Sequence, residues 1–416
     1  MHGNVLVGQS GGPTAVINAS LAGVLTAARG AGFGGGAGSR GAIYGMRFAI
    51  EGFLEDHLLD LGSLAPDDIE RLRTTPGSAL GSCRYKLTDE DLPAIKARLE
   101  RRNIRYLFYI GGNDTMDTIH RIVAYCDEAG YALQGIGIPK TVDNDLFATD
   151  HTPGYPSAAR YVALSVQQAG RLAADMQRVD RFVIHQTVGR EAGWLAAASA
   201  VARRSAGDAP HLIYVPEQPL TRDGVLADVE RTVGEYGWAS IVVGEGILWE
   251  DGTPVSAAAS KDRFDNLEFG AMSGSSAAVG LHRLISEQTG YRGEFQIPES
   301  MAMAAADRVV ATDRREAYGC GVEAVSRAVR GENNVMVTIE REESAPYRVH
   351  YGAAPLSEVA VRAKPMPPDM LVPAWVSDRF LDYVRPLVGS LDRYVDFGGL
   401  PPVAVDRGAA APQENG

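Results

Sequence analysis

The chain has 416 residues, of which 45% are hydrophobic and 22% charged, with a net charge of -12. That length leaves room for two domains with sizeable cores, and the balance excludes extended disorder as its main character. The acidic total disfavours nonspecific nucleic-acid binding, which draws its affinity from cations on phosphates, and no apolar run reaches the roughly 20 residues of a membrane span.

From the start, Met1-His2-Gly3-Asn4 runs into a strand-like Val5-Leu6-Val7 without the basic and apolar regions of a signal peptide, so a cytoplasmic location is expected. The strand spans Asn4 to Gly8 and empties into Ser10-Gly11-Gly12-Pro13, followed by a predicted helix from about Thr14 to Arg29 with Pro13 at its first turn. Glycines permit close backbone approach and a helix start offers free N–H groups, so Gly11 and Gly12 are candidates to cradle a phosphate; alone, the segment reads equally as a tight turn. A glycine-rich connector covers Gly30 to Gly45, and Gly77 to Cys83 leads to Arg84.

A second strand, Tyr106 to Ile110, ends in Gly111-Gly112-Asn113-Asp114-Thr115 and feeds an amphipathic helix marked by Ile119, Ile122, Val123 and Cys126. A third apolar run, Gly135 to Ile138, ends in Pro139-Lys140-Thr141-Val142-Asp143-Asn144-Asp145. Ligands of open α/β sheets collect beyond the carboxyl ends of strands, so a lysine, a hydroxyl and two carboxylates there point to phosphate and metal chemistry. An Asx-rich turn is the plainer reading of Asp-Asn-Asp. Lys140 tips the balance, because its charge is satisfied by a bound phosphate.

Helical patterns follow at Tyr155 to Met176, Glu191 to Ser205 and Leu220 to Glu235, alternating with strands at Arg181 to Gln186, His211 to Val215 and Ala239 to Val243. The first of these strands closes on Val188-Gly189-Arg190 and the last on Gly244-Glu245-Gly246. An arginine fork suits a phosphoryl oxygen, although Arg84, Arg181 and Arg190 each also read as solvated caps. Ser256 to Gly274 reads as a long polar loop able to act as a lid, and a helix at Ser275 to Ser286 as a candidate subunit interface. Asn334 to Glu340 is strand-like, a proline-punctuated stretch starts at Lys364, and Arg407 to Gly416 reads as disordered. Cys83, Cys126 and Cys320 lack paired spacing and read as reduced thiols. Trp194, Trp238 and Trp249 read as packing residues, and His120, His151 and His185 show no metal spacing. The alternation of strand and helix predicts an α/β fold of two Rossmann-like domains with mainly parallel sheets flanked by helices.

Together these segments resemble the phosphofructokinase family. Ser10-Gly11-Gly12, Gly81-Ser82 with Arg84, Gly111 to Thr115, Lys140 to Asp145, Val188-Gly189-Arg190 and Gly244-Glu245-Gly246 stand in the family's order over roughly residues 4 to 340. The resemblance implies a phosphoryl-donor domain at 1–153 plus about 291–345, a sugar-phosphate domain at 154–290 and a C-terminal extension at 346–416. It implies that Asp143 takes the proton from the sugar 1-hydroxyl, that Thr141 is a phosphate-binding hydroxyl, and that Asp145, with Asn113 and Asp114, lies at a Mg2+ site. It implies that Arg84 lies near the transferred phosphoryl group, that Gly11, Gly12, Asp114, Thr115 and Lys140 face the donor, and that Arg190, with Val188 and Gly189, meets the sugar phosphate. Glu245 matches a residue holding a sugar hydroxyl. Arg181 matches the arginine that reaches fructose 6-phosphate in a neighbouring subunit, which implies a homo-oligomer, a homodimer in preference to a homotetramer.

ATP-using members carry glycine where this chain has Asp114 and Lys140, so both positions resemble the diphosphate-dependent branch. The implied reaction is reversible transfer from diphosphate to fructose 6-phosphate; ATP as donor, or sedoheptulose 7-phosphate as acceptor, is the alternative. Two positions depart from the family. Asn113 replaces the usual acid before Asp114, and Arg292-Gly293-Glu294-Phe295-Gln296 continues to Glu299, an acid near the expected arginine, with Arg292 the candidate replacement cation. These departures also motivate a rival reading as a non-enzymatic regulatory subunit. The other rival, a kinase of the NAD-kinase or lipid-kinase type, shares only the Gly111 to Thr115 loop.

Overall fold

The structure is a computed structural model and describes residues 2–395, apart from 37, 257–259, 262–266, 269–275 and 361. The lid expectation for Ser256 to Gly274 and the expected disorder of 407–416 fall mostly or wholly outside the described residues. The strands are β1 (Asn4–Gln9), β2 (Ile43–Met46), β3 (Leu58–Asp60), β4 (Ile104–Gly111), β5 (Gln134–Pro139), β6 (Phe182–Thr187), β7 (Leu212–Tyr214), β8 (Ala239–Gly244), β9 (Ser260–Lys261), β10 (Leu267–Glu268), β11 (Gly293–Gln296), β12 (Val335–Ser344), β13 (Tyr347–Pro355) and a short antiparallel pair, β14 (Leu371–Val372) and β15 (Trp375–Val376).

A seven-stranded sheet runs β13-β12-β5-β4-β1-β2-β3, parallel except at its two edges, where β2 meets β3 and β12 meets β13 antiparallel. Its central strands are apolar on both faces: Val5 and Val7 pack into one cluster and Leu6 into the other. That is the signature of a parallel sheet covered by helices on each side. The second sheet, β11-β6-β8-β7, is parallel throughout. β9 and β10 form a separate antiparallel pair.

The expected return to the first unit at about 291 comes later in the chain. Gly293–Gln296 pairs with β6 in the second sheet, and the first sheet is completed by β12 and β13 as far as Pro355. The expected C-terminal extension is built into the second core: Met366, Phe380, Val384, Leu387 and Val388 pack with Val142, Tyr155 and Trp194.

Two helices start later than the sequence predicts. The first runs Ile17–Gly30, not from Thr14, because Ala15 N–H is taken by the Met303 carbonyl (2.9 Å) and Val16 N–H by Thr14 Oγ1 (3.4 Å). Pro13 therefore lies in the loop. The pattern at Glu191 to Ser205 shrinks to Trp194–Ala198 plus a tighter 3-10 turn at Ser199–Ala202, since Gly193 N–H is drawn to the Glu217 carboxylate at 3.1 Å.

Between the two sheets, helix Ala311–Arg330 carries two buried acids. Asp313 accepts from Gly154 and Ser157 N–H groups and caps helix Tyr155–Asp175, while Glu316 Oε2 lies 2.8 Å from His151 Nε2. His151 Nδ1 meets Asp150 Oδ1 at 2.9 Å, and Arg341 pairs with the same carboxylate. Burial opposes a charged imidazole, but the bonds to Asp150 and Glu316 outweigh it and raise the His151 pKa above its ordinary value. A raised folded-state pKa contributes stability that is complete below the unfolded value of about 6.5 and is lost as pH rises through the folded value. His151→Gln should therefore cost most at pH 6. Thermal melts of both proteins from pH 6 to 9 check this: the gap in Tm narrows as pH rises, and a constant gap contradicts it.

Candidate active site

Five loops at the carboxyl ends of β1, β4, β5, β6 and β8 converge. After β5, Lys140 is 2% exposed, and its Nζ donates to the Gly12 carbonyl at 2.8 Å, tying the β5 loop to the β1 loop. Gly11 has φ +74° and a Cβ there would sit 3.2 Å from the same ammonium, so the turn's shape and the lysine's place depend on each other. Ser82 Oγ donates to the Gly11 carbonyl at 2.6 Å and brings the segment preceding Arg84 to this loop. Arg84 itself is exposed. Burial pushes the Lys140 pKa down to about 8, against the pull of Asp143 and Asp145. A desolvated ammonium in that position gains from an incoming anion.

The β5 loop is held by its own hydroxyl and by its neighbours. Asp143 N–H donates to Thr141 Oγ1 at 3.1 Å, and Thr152 Oγ1 donates to the Thr141 carbonyl at 2.8 Å. Asn144, fully buried at φ 56°, turns the chain between the two carboxylates. Desolvation raises the pKa of Asp143, Asp145's charge adds to it, and Arg190 and Lys140 oppose both. Asp145 is raised by desolvation as well. Across the site, Glu245 accepts from Gly189 N–H at 3.3 Å and is pushed up to about 7 by burial and by the Asp143 charge, with Arg190 opposing. Asp143, Glu245 and the exposed Arg190 thus share one field. Gly189 has φ +125° with Ala192's carbonyl 2.6 Å from where a Cβ would stand, so this turn requires glycine.

After β4, Asn113 and Asp114 open helix Asn113–Glu128. Asn113 Nδ2 donates to Asp145 Oδ2 at 2.8 Å, while Asn113 Oδ1 and Asp145 Oδ1 are both buried without a hydrogen-bond partner. Two orphaned oxygens on bonded neighbours are the donor set a hard cation uses, so these residues fit the implied Mg2+. Among the described residues no cluster of three His, Cys, Asp or Glu forms a self-sufficient metal site. Asp114 is exposed at the first turn. Thr115 is buried, and its side chain fills the space over Gly111 that a Cβ would need.

Two predicted residues lie elsewhere. Arg181 and Arg292 immediately precede β6 and β11, at the amino ends of those strands, whereas Arg190 and Glu245 follow the carboxyl ends of β6 and β8. Arg292 pairs with Asp180 at 2.9 Å on the surface, so the expectation that it replaces the missing phosphate-binding cation fails within one chain. Glu299 does approach the site: its charge acts on Glu245, and Gln186 Nε2 donates to it at 3.4 Å. Val188 is half-buried against the second core. Cys83 is a free, half-buried thiol. His185 is buried with neither ring nitrogen partnered, and burial lowers its pKa to about 4, in keeping with a neutral packing residue.

Lys364, Tyr383 and Glu217 were not legible as site residues, yet all three hold the loops just described. Lys364 N–H donates to the Asp145 carbonyl at 2.7 Å, Asn144 Nδ2 donates to the Tyr383 hydroxyl at 2.8 Å, and Glu217 receives Gly193 N–H. No local motif marks them.

Comparison with known proteins agrees with this geometry. The family described as Phosphofructokinase matches residues 4–328. The pyrophosphate--fructose 6-phosphate 1-phosphotransferase of Halomonas elongata is 37% identical over 96% of this chain and 95% of its own, and that of Xanthomonas campestris 36% identical over 96% and 95%. The crystal structure of the pyrophosphate-dependent phosphofructokinase from Nitrosospira multiformis superposes with a TM-score of 0.83 at 35% identity, covering 99% of this chain and 98% of that one. With a family match over most of its length, relatives of the same kind at full coverage and the expected loops around one site, the chain belongs to the phosphofructokinase family.

Proposed function

We propose that this protein is a diphosphate-dependent 6-phosphofructokinase. The observation that carries the donor assignment is the buried Lys140 ammonium on the Gly12 carbonyl, where a short anionic donor gains a charge contact and a nucleotide's α-phosphate would meet the exposed Asp114 carboxylate. The relatives named for pyrophosphate support the same reading.

In this reading the sugar O1 attacks the terminal phosphorus of diphosphate, the bridging P–O bond breaks, phosphate leaves, and the O1 proton passes to Asp143. Burial and the Asp145 charge make the Asp143 carboxylate more basic than usual, which supports that role. Lys140, Arg84 and the Gly11–Gly12 backbone offset charge on the donor. Arg190 anchors the acceptor phosphate, and Glu245 takes a sugar hydroxyl. Mg2+ held by Asn113, Asp145 and Asp114 supplies neutralisation of the donor phosphates when bound. Arg181 lies at the far end of β6 from Arg190, consistent with its serving a neighbouring copy's site in a homodimer. No helix among the described residues is long and apolar enough to cross a membrane, which fits a cytoplasmic enzyme.

Initial rates with fructose 6-phosphate and Mg2+, with diphosphate or ATP as donor, test the reading. Turnover with diphosphate and not with ATP, abolished by EDTA and restored by Mg2+, is expected. Turnover with ATP alone overturns the donor assignment.

A further inference from the structure

The segment that follows the family match, which ends at residue 328, returns to the catalytic loop and grips it. Leu146 pairs with Ala363 in an antiparallel bridge, and Lys364 N–H donates to the Asp145 carbonyl at 2.7 Å. Lys364 Nζ donates to the carbonyls of Asp150 (2.8 Å) and Thr149 (3.0 Å) and, at 3.4 Å, to Asn144 Oδ1. Its charge lies 5.1 Å from the centre of the Trp194 ring, and its carbonyl accepts from Trp194 Nε1 at 3.0 Å. Helix Asp378–Val388 adds the Tyr383 hydroxyl, which accepts from Asn144 Nδ2 at 2.8 Å and donates to the Asp150 carbonyl at 2.9 Å.

Asn144 is the residue these contacts meet. It lies between Asp143 and Asp145 in a left-handed conformation, which asparagine enters more readily than most residues with a side chain and which turns the chain between the two carboxylates. Its side-chain amide bonds through both its nitrogen and its oxygen to the C-terminal segment, and its oxygen also accepts from Thr152 N–H (3.1 Å). The same segment reaches the other side of the site: Met366 N–H donates to Glu217 Oε1 at 2.9 Å, and Glu217 also holds Gly193 of the loop that carries Arg190. One stretch of chain therefore ties the loop bearing the base to the loop bearing the acceptor arginine.

We propose that Lys364 and Tyr383 are positioning residues for phosphoryl transfer, fixing the Asp143 carboxylate through Asn144 and the Asp145 loop. The inference rests on the assignment of Asp143 as base. A shift of about 1 Å in a reacting group costs on the order of a hundredfold in rate, while a loop that still forms leaves ground-state binding largely intact. Burial lowers the Lys364 pKa to about 8, and a cation held dry in this way is sited for its hydrogen bonds and not for solvent.

The test compares Tyr383→Phe, which deletes one hydroxyl, Lys364→Met, which deletes the charge at similar length, and Leu387→Ala, a truncation in the same helix that shrinks the shared core but removes no hydrogen bond to either loop. With fructose 6-phosphate and diphosphate, the first two should lose about 10- to 100-fold in kcat, with both KM values within threefold of the parent. Leu387→Ala should lose several degrees of Tm and keep kcat within twofold. If Lys364→Met fails to fold, Tyr383→Phe decides alone. A Tyr383→Phe kcat within twofold of the parent, or a Leu387→Ala kcat that falls along with its Tm, overturns the inference. Inactivity of the parent with diphosphate would instead strike at the proposed function.

Discussion

Asp143→Asn lowers kcat by about 10²- to 10⁴-fold, the range a positioned general base contributes. The substitution keeps the side chain's shape and its place beyond β5, and removes only the charge and the ability to take a proton. Two acids separated by a single residue, both raised by desolvation and with Asp145 also raising Asp143, repel each other in the unliganded site. Neutralising one relieves that repulsion, so Tm should stay level or rise while turnover falls. The KM for fructose 6-phosphate should change little, because Arg190 and Glu245, not Asp143, carry ground-state binding in the proposed reaction. Steady-state rates and a thermal melt on the same preparation decide it. A kcat within tenfold of the parent removes Asp143 from the role of base.

What could be read from the sequence was what is local. A strand that empties into a short polar loop places that loop at the carboxyl edge of the sheet, and β1, β4 and β5 each did so at the expected residues. Lys140, Asp143 and Asp145 share one loop, so their meeting follows from a few residues of chain. Lys140 reaching Gly12 across 128 residues follows from β1, β4 and β5 lying side by side in one parallel sheet. The errors arose where tertiary contacts override local pattern. The stretch after Glu191 is rich in alanine, a strong helix former, but Gly193 bonds to Glu217 and the helix starts at Trp194. Arg292 is suggested as a phosphate ligand only by its place in the segment that departs from the family's motif, and a residue that precedes a parallel strand lies at the wrong edge for the site. Lys364 and Tyr383 were invisible because they act over more than 200 residues of separation, through one side-chain amide and three backbone carbonyls. Hydrogen bonds to carbonyls leave no residue-type signal at the accepting position.

Lys140→Met is expected to lower kcat/KM for diphosphate by about 10²- to 10³-fold, a loss comparable to deleting one preorganised donor aimed at developing charge. The argument rests on position. The ammonium is buried, so water cannot screen it, and its one hydrogen bond to the Gly12 carbonyl leaves N–H groups for a donor phosphate placed over the Gly11–Gly12 turn. Methionine fills the same space with a flexible apolar chain, so the turn should survive, although the Gly12 carbonyl loses its partner. The acceptor side should respond less: Arg190 and Glu245 lie on loops after β6 and β8, so KM for fructose 6-phosphate should stay within about threefold. Removing a nearby cation also takes away part of what offsets the repulsion between Asp143 and Asp145, leaving Arg190 acting on the first and Lys364 on the second, which raises both pKa values further and moves the acid limb of the pH–rate profile upward. The two effects have separate readouts, kcat/KM for diphosphate at fixed pH and the midpoint of the acid limb. If kcat/KM for diphosphate stays within threefold of the parent, Lys140 contacts no donor phosphate, and its burial serves only to join the β1 and β5 loops.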